Sequence, residues 1–399
     1  MLRQLALVGL IAALTGCGTL PRNAVPPELV AQAALPHMPD VRAWAGQPSP
    51  AMERDLAASF DQEVPEEFPK APDGVVHYAH LALSGGGPNG AFGAGFLNGW
   101  STTGTRPVFK IVTGVSTGAL MTPFAFLGPS YDEALRQFYT TTASRNIFRR
   151  LSIIPQLLAG ESLVDSGPLA ALIEQHLGAA LLAQIADAHR RGRRLYVGTV
   201  DLDAQRFVVW NMGLIATSGR PEALELFRKV LLASASVPVA FPPVFFDVEA
   251  DGRPYDEMHV DGAVAARVFY SGGVFTPALI RSRAGRGGSG REDIYVIHNG
   301  QLLPVPKQVP RSLRGIALRV LDSSGKAAMV GDLFRIHAFA LEAQASFQWV
   351  TIPEGVEIEG DEVFDPVVMT RLYEFGYRTA IAGPVWTTTP PGFQFEPAP

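Results

Sequence analysis

The stretch Ser84-Gly85-Gly86-Gly87-Pro88-Asn89-Gly90, followed later by Gly114-Val115-Ser116-Thr117-Gly118, determines the fold expected for this chain. Each stretch follows a short apolar run of β type, Val75–Leu83 in the first case and Phe109–Thr113 in the second. Each also precedes a segment rich in Ala, Leu and Phe, as in a strand–turn–helix unit. Two such units place the candidate catalytic residues at the ends of strands.

The second stretch has the form Gly-x-Ser-x-Gly, in which a serine is held at a sharp turn between a strand and a helix. Gly114 and Gly118 lack Cβ atoms and so leave room around Ser116. The pattern predicts Ser116 as a nucleophile. Because glycine makes up 40 of the 399 residues, this one match is not specific by itself.

The three consecutive glycines of the first stretch predict an anion site, because backbone N–H groups in such a loop can point inward. An oxyanion that forms during acyl transfer is one such anion. We therefore expect Gly85, Gly86 and Gly87 to form an oxyanion hole.

A dinucleotide-binding loop is the alternative interpretation, since Gly85, Gly87 and Gly90 also fit the Gly-x-Gly-x-x-Gly pattern. That pattern requires an acidic residue about 20 positions further on to hold the ribose. No Asp or Glu occurs between Asp73 and Asp132. The sequence thus disfavours a nucleotide, and we expect neither a cofactor nor a metal.

A serine nucleophile needs a base, usually a histidine that a carboxylate orients. The chain order of α/β-hydrolases nominates His298 or His337, although neither has a distinctive setting. Asp261 is the better candidate, because a strand-like run ends there beside Gly262. An ordinary Asp-Gly turn is the structural alternative for that dipeptide.

Four ordered blocks of the sequence resemble the patatin-like phospholipases. Ser84–Gly90 is similar to the family's glycine-rich oxyanion block, and Gly114–Gly118 to its Gly-x-Ser-x-Gly block. Val260-Asp261-Gly262-Ala263 resembles the D-G-[GA] block that supplies the catalytic aspartate. Ala233–Pro238, followed by Phe241-Pro242-Pro243, resembles the A-S-x-x-x-P-x-x-F-P-P segment.

This resemblance implies an α/β protein with a three-layer fold, in which helices flank a mainly parallel central sheet. It also implies a dyad of Ser116 and Asp261 without histidine, acting on a lipid acyl ester. Asn89 departs from the family, which often has Arg or Lys there. Two alternatives remain open: a catalytically silent lipid-binding envelope lipoprotein, and a Ser-His-Asp esterase.

The amino terminus has the proportions of a secretory signal. A basic start, Met1–Gln4, precedes the apolar run Leu5–Leu14, which is shorter than the roughly 20 residues that span a bilayer. Leu14-Thr15-Gly16-Cys17 resembles a bacterial lipobox, in which the cysteine is lipidated and becomes the first mature residue. Cys17 is the only cysteine in the chain, and Gly18 after it implies sorting to the outer membrane. We expect a lipid-anchored protein of the bacterial cell envelope.

These features predict a signal peptide over residues 1–16, a lipidated cysteine with a Pro-rich tether over 17–74, and an acyl-hydrolase domain over 75–390. Ten prolines occur in residues 18–74, a composition typical of a tether or of a chain draped over the domain. A helix is expected over Pro50–Phe60.

Strand-like runs such as Arg194–Asp201 alternate with helical stretches after residue 75, which favours a mainly parallel sheet covered by helices. Asp332–Phe347 is predicted to be one helix. The net charge of -5 offers no broad basic surface, so we expect no nucleic-acid partner. Arg281–Arg291 is predicted to be a mobile loop. Ile147–Gly160 is predicted to be a buried helix or a segment that contacts lipid. The sequence leaves protein partners unknown.

Overall fold

The computed structural model describes residues 20–151, 162–383 and 386–392. Its main sheet has nine strands in the order β1-β7-β6-β3-β2-β10-β11, with β9 paired to β6 and β8. β4 and β5 form a separate pair. The strands are β1 Arg42–Trp44, β2 Val76–Leu83, β3 Phe109–Val115, β4 Arg149–Arg150, β5 Val164–Asp165, β6 Arg194–Asp201, β7 Arg206–Asn211, β8 Val244–Ala250, β9 Arg253–Asp261, β10 Gly290–His298 and β11 Ser346–Thr351.

Helices cover both faces of this sheet. They are α1 Pro50–Asp61, α2 Gly90–Thr102, α3 Thr117–Leu127, α4 Asp132–Thr140, α5 Ser144–Ile147, α6 Gly167–His176, α7 Ala179–Arg190, α8 Met212–Thr217, α9 Ala223–Ser234, α10 Pro277–Arg281, α11 Leu313–Ala343 and α12 Pro366–Ile381.

The central strands β6, β3, β2, β10 and β11 are parallel, which confirms the predicted α/β fold with a mainly parallel sheet between helices. Successive side chains along these strands face opposite layers. Leu81 and Leu195 face a core shared with α2, α3 and α12, whereas Tyr78 and Tyr196 face one shared with α1. A third cluster joins β10 and β11 to α11.

Two strands meet end to end along β6. β3 ends at Val115, which pairs with Gly198. β9 runs in the opposite direction and ends at Asp261, which pairs with Thr199. Ser116, the residue after β3, therefore lies next to the last residue of β9. This meeting point is the structural basis of the site described below.

The segment before residue 75 lies against the domain. β1 extends the sheet beside β7, and isolated bridges join Ala24 to Asp256 and Ala34 to Glu249. The helix expected over Pro50–Phe60 is α1, and its buried face consists of Met52, Leu56 and Phe60. The sequence predicted either a tether or a chain draped over the domain. The described part of this segment is draped over the domain. Cys17 lies outside the described residues.

Several predicted elements differ from the observed ones. Residues 332–347 were expected to form one helix, but α11 ends at Ala343, Gln344 has a left-handed backbone, and Phe347 belongs to β11. Arg281–Arg291, expected to be a loop, forms short helical turns that lead into β10. The buried guanidinium of Arg281 there binds Glu292. Most of the Ile147–Gly160 segment lies outside the described residues.

Within the described ranges, no single helix has the length and apolar composition needed to cross a membrane. The pair α6 and α7, bent by 65°, satisfies both criteria only when the two helices are counted together.

Candidate active site

Ser116 occupies a strained turn between β3 and α3. Its backbone angles, φ 56° and ψ -127°, are sparsely populated by residues that carry a side chain. Its N–H donates a hydrogen bond to Ser234 Oγ at 3.0 Å, and Ser234 Oγ in turn donates to the carbonyl oxygen of Gly198 at 2.7 Å. The turn is therefore held from the neighbouring strand. Ser116 remains 7% exposed at the edge of the sheet.

The segment Ala233–Pro238 supports both members of the predicted dyad. Ser234 holds Ser116, and the carbonyl oxygen of Ser236 accepts a hydrogen bond from the Asp261 N–H at 2.9 Å. The sequence matched this segment to a family block without assigning it a role. Its two serines at the end of a helix were the available signal.

Asp261 is 2% exposed and ends β9 beside Ser116. Its Oδ1 accepts a hydrogen bond from the Ala263 N–H at 2.8 Å, whereas its buried Oδ2 has no partner at full hydrogen-bond geometry. Burial raises the pKa of Asp261 to about 6, although hydrogen bonding with the Ser116 hydroxyl opposes this rise. The two groups interact at a geometry looser than a full hydrogen bond. A carboxyl with this pKa can take and return a proton near neutral pH.

The glycine-rich loop offers two free donors beside the serine. Within the described chain, the N–H groups of Gly86 and Gly87 have no hydrogen-bond acceptor. Gly87 has φ 57°, a conformation that favours glycine. Gly85 was expected to be a third donor, but its N–H donates to the carbonyl oxygen of Arg267 at 3.0 Å. That expectation is corrected: Gly85 provides space, since a Cβ there would lie 3.2 Å from the Ser116 Cβ.

Asn299, just after β10, holds the start of the loop in place. Its backbone N–H donates to Ser84 Oγ and its Nδ2 donates to the Ser84 carbonyl oxygen, both at 2.9 Å. A Cβ on Gly86 would collide with the Asn299 carbonyl oxygen, so the loop fits only with glycine there. Asn299 was not predicted from the sequence. A polar residue directly after a buried parallel strand was the signal that could have identified it.

The remaining motif glycines allow close packing of backbone elements. A Cβ on Gly114 would press on Thr122 and on the Gly118 carbonyl, and one on Gly118 would press on the carbonyl of Leu83. A Cβ on Gly90 would collide with Thr117 and Tyr139, and one on Gly262 would press on the Gly198 carbonyl. These glycines bring α3, the glycine loop and β9 close together around the serine.

The candidate histidine bases have other partners. His298 Nδ1 lies 2.8 Å from Thr351 Oγ1, and His259 contacts Thr199 and Glu257. His337 lies in α11, where its ring packs against Phe347. The hydrogen bonds of His259 and His298 in the described chain do not include Ser116, whereas Asp261 adjoins it.

One group of buried residues has the donor atoms of a metal site. Asp201, Glu257 and His259 present ligand atoms within 4.8 Å of one another. Both Glu257 oxygens, however, bind the guanidinium of Arg42, and both His259 nitrogens are hydrogen-bonded. A cation would have to displace a fixed positive charge. These residues therefore do not fit a metal ion.

Residues 81–270 match the family model described as patatin-like phospholipase. This part of the chain is a patatin-like phospholipase domain, which confirms the resemblance seen in the sequence. Family membership supports lipid acyl hydrolase activity. No curated protein matches the chain significantly.

Three solved structures are similar to the chain. VipD from Legionella pneumophila is 11% identical, with 79% of this chain and 69% of that chain covered and a TM-score of 0.37. Human GIVD cytosolic phospholipase A2 is 11% identical, with 71% and 51% covered and a TM-score of 0.31. The type III effector ExoU, from Pseudomonas aeruginosa, is 14% identical, with 78% and 55% covered and a TM-score of 0.24.

Proposed function

We propose that the protein is a membrane-tethered serine acyl hydrolase that cleaves lipid acyl esters with a dyad of Ser116 and Asp261. The observation that carries this proposal is the meeting of a strained serine with a buried carboxyl whose pKa is raised to about 6. A nucleophile and a base within reach of each other are the minimum for acyl transfer.

In the proposed reaction, Ser116 Oγ attacks the ester carbonyl carbon while its proton passes to Asp261. The carbonyl oxygen becomes an anion, which the N–H groups of Gly86 and Gly87 stabilise, each by about 2.7–4 kcal/mol. The tetrahedral intermediate then releases the alcohol, which takes the proton from Asp261. Water, deprotonated by Asp261, attacks the acyl-serine. The fatty acid is released, and Asp261 returns the proton to Ser116 Oγ.

A fluorophosphonate probe, which reacts with activated serines, tests the nucleophile. Wild-type protein should be labelled and Ser116→Ala should not. Ser218→Ala, at the end of α8, removes a serine elsewhere and should be labelled like wild type. Equal labelling of Ser116→Ala would exclude Ser116 as the nucleophile. Unlabelled wild-type protein that hydrolyses no lipid ester would favour the silent lipid-binding alternative.

We further propose that a lipid on Cys17 tethers the protein to the outer membrane. The first described residues support an orientation for this tether. Arg22 binds Asp203, just beyond the end of β6, and Asp256 on β9. β6 is parallel to β3, so Arg22 lies beyond the same sheet edge as Ser116. Cys17 precedes Arg22 by five residues, which span at most about 18 Å.

Exposed apolar side chains at this edge are consistent with a nearby membrane. Val237 and Val239 follow α9, Val264 follows Asp261, and Leu202 follows β6, and all four are exposed. Such side chains gain free energy when they enter the lipid interface. A short tether would thus hold the active-site edge toward the bilayer that contains the substrate.

Membrane fractionation tests the tether. Cys17→Ser should appear in the soluble fraction or as an unprocessed precursor, because the chain has no other cysteine to lipidate. Ser116→Ala is the control and should remain in the membrane fraction. A processed Cys17→Ser protein that stays fully membrane-bound would contradict the lipoprotein proposal.

A further inference from the structure

A cavity of about 1040 Å³ opens beside the glycine loop. Gly85 and Gly86 form one wall, His298 and Asn299 a second, and part of α11 a third. Gly85 also lies beside the Ser116 side chain, since a Cβ built on Gly85 would be 3.8 Å from Ser116 Oγ. An ester held at the glycine loop can therefore extend into this cavity with the part of the molecule that is not being cleaved.

Four cationic side chains line the cavity, and two of them are already neutralised by carboxylates. Lys307 binds Glu359 at 3.0 Å, and Arg319 binds Asp322 at 2.9 Å. The other two are Arg267 and Lys326, and the described chain provides no carboxylate within ion-pair distance of either.

The side chains of Arg267 and Lys326 make few hydrogen bonds within the described fold. Lys326 Nζ donates one hydrogen bond, to the Leu303 carbonyl oxygen at 2.8 Å. Arg267 Nε is buried and has no acceptor. A buried donor without a partner costs free energy, which a bound acceptor would recover. The unused hydrogen-bonding capacity thus indicates a ligand with negatively charged oxygens.

Arg267 and Lys326 lie near the same point of the cavity wall. A Cβ on Gly325, the neighbour of Lys326, would collide with the Arg267 guanidinium, so that guanidinium lies directly against α11. Burial, together with the positive charges of Arg267 and Lys326, lowers the pKa of His298 to about 3. Both cations therefore act on one side chain next to the glycine loop. Two adjacent positive charges repel each other until an anion lies between them.

We propose that Arg267 and Lys326 form a phosphate subsite that binds the phosphodiester of a glycerophospholipid while its ester lies at the glycine loop. A guanidinium offers paired N–H donors that match phosphate oxygens, and an ammonium adds a point charge. Asn89 lines the same cavity without a charge, so the positive charge comes from these two residues. The inference rests on the proposed function and narrows its substrates to phospholipids over neutral glycerides.

Paired substrates with the same acyl chains test this subsite. Full-length protein in neutral detergent micelles is assayed on a phosphatidylcholine and on the matching diacylglycerol. Arg267→Met should lower kcat/KM for the phosphatidylcholine about 10- to 100-fold, mainly through KM, because charged hydrogen bonds are lost. Lys326→Met should act in the same direction. Hydrolysis of the diacylglycerol should fall much less in both variants; Arg267→Met removes a charge that also acts on Asp261, and this part of its effect is common to the two substrates.

Two further variants serve as controls. Lys307→Met removes a cavity cation that Glu359 already neutralises, and it should leave the ratio of the two activities unchanged. Arg267→Lys keeps the charge and should restore part of the activity on phosphatidylcholine. Thermal unfolding of each variant distinguishes misfolding from lost recognition.

The outcomes separate the two proposals. Equal losses on both substrates in folded Arg267→Met, or no loss on phosphatidylcholine, would overturn the subsite and leave the hydrolase proposal standing. Wild-type protein that cleaves neither ester would overturn the proposed function itself. If Arg267→Met fails to fold, an unchanged substrate ratio in Lys326→Met would overturn the subsite.

Discussion

Two sets of buried ionisable groups lie only a few residues apart where β9 pairs with β6. One is Asp261 beside Ser116, and the other is the Glu257 cluster, which consists of Asp201, Glu257 and His259. Both sets are withdrawn from water and both contain carboxyl groups. They differ in how completely the surrounding protein satisfies their polar atoms.

The polar contacts of Glu257 and His259 form a continuous chain. The Glu257 carboxylate can only accept, so His259 Nε2–H donates to it, and Nδ1 of the neutral ring accepts from the Thr199 hydroxyl. Trp210 Nε1–H in turn donates to Thr199 Oγ1. Both Glu257 oxygens also bind Arg42. Burial by itself would raise the pKa of Glu257, but hydrogen bonds from His259 and Arg42 bring it well below its ordinary value.

Asp261 has the opposite balance. Burial raises its pKa to about 6, and the positive charge of Arg267 opposes this rise only in part. In the described structure Asp261 has no ion pair, and its Oδ2 lacks a full hydrogen bond. A group left in this state costs stability but can exchange a proton with a substrate. Burial alone therefore does not mark a catalytic acid. Asp261 differs from the Glu257 cluster because one of its oxygens lacks a full hydrogen bond and because it lies next to a nucleophile.

The largest expected effect is the loss of activity in Asp261→Asn. The same substitution at Asp201, a second buried aspartate, is its control. Asp261→Asn should lower kcat/KM for ester hydrolysis on the order of 10³-fold or more, because an amide cannot accept the serine proton. Asp201→Asn keeps the oxygen that caps the Asp203 and Ala204 N–H groups, and it should remain close to wild type. Steady-state kinetics of both variants measure the contrast. An equal loss in both would remove the distinction between the two sets.

The second expected effect is on stability. Arg42→Met leaves the buried Glu257 charge without its ion pair and should lower the free energy of unfolding by about 3–5 kcal/mol, measured by urea denaturation. The specific activity of the folded protein should persist. Arg136→Met removes an exposed ion pair with Glu133 and should change stability little. Complete inactivity of folded Arg42→Met would mean that the Glu257 cluster takes part in the chemistry.

The smallest expected effect is a gain in stability with a defined pH dependence. The pKa of Asp261 is about 6 in the folded protein and 3.8 as the ordinary value. The folded state therefore binds this proton more tightly, so the stabilising contribution is complete below pH 3.8 and is lost as the pH rises through 6. At pH 7.5 the ionised carboxyl costs roughly 3 kcal/mol, which Asp261→Asn should recover.

Thermal unfolding at several pH values measures this gain. The difference in stability between Asp261→Asn and wild type should shrink as the pH falls from 7.5 toward 4. The kcat/KM of wild type should also fall below pH 6, because the protonated carboxyl is no longer a base. Lower stability of Asp261→Asn at pH 7.5 would contradict the unsatisfied state assigned to Asp261.

Much of the central sheet could be predicted because its strands are short apolar runs with clear ends. The predicted run Arg194–Asp201 coincides with β6, and Phe109–Thr113 lies within β3. β11 was missed because Phe347 continues the apolar pattern of the preceding helix, so periodicity could not locate the break. The break depends on Gln344, whose left-handed backbone ends α11.

For the candidate site, local motifs identified residues but not their partners. Short sequence blocks predicted Ser116, Asp261 and the glycine loop. Within each block, the position of the glycines has a steric explanation. Ser234, Asn299 and Arg267 were not assigned roles, because each acts on a residue far away in the chain. The hydrogen bond from the Gly85 N–H to the Arg267 carbonyl oxygen also joins residues that are far apart in the chain.

The sequence by itself determined the strand–turn–helix units, the glycine positions around the serine, and the patatin-like phospholipase domain over residues 81–270. These properties follow from local sterics and from short patterns of residue types. Only the tertiary structure decided which acid meets the serine. β3 and β9 end opposite adjacent residues of β6, Gly198 and Thr199, and that register leaves Asp261 buried beside Ser116. The cost of burying a charge, which sets its pKa, depends on neighbours from distant parts of the chain.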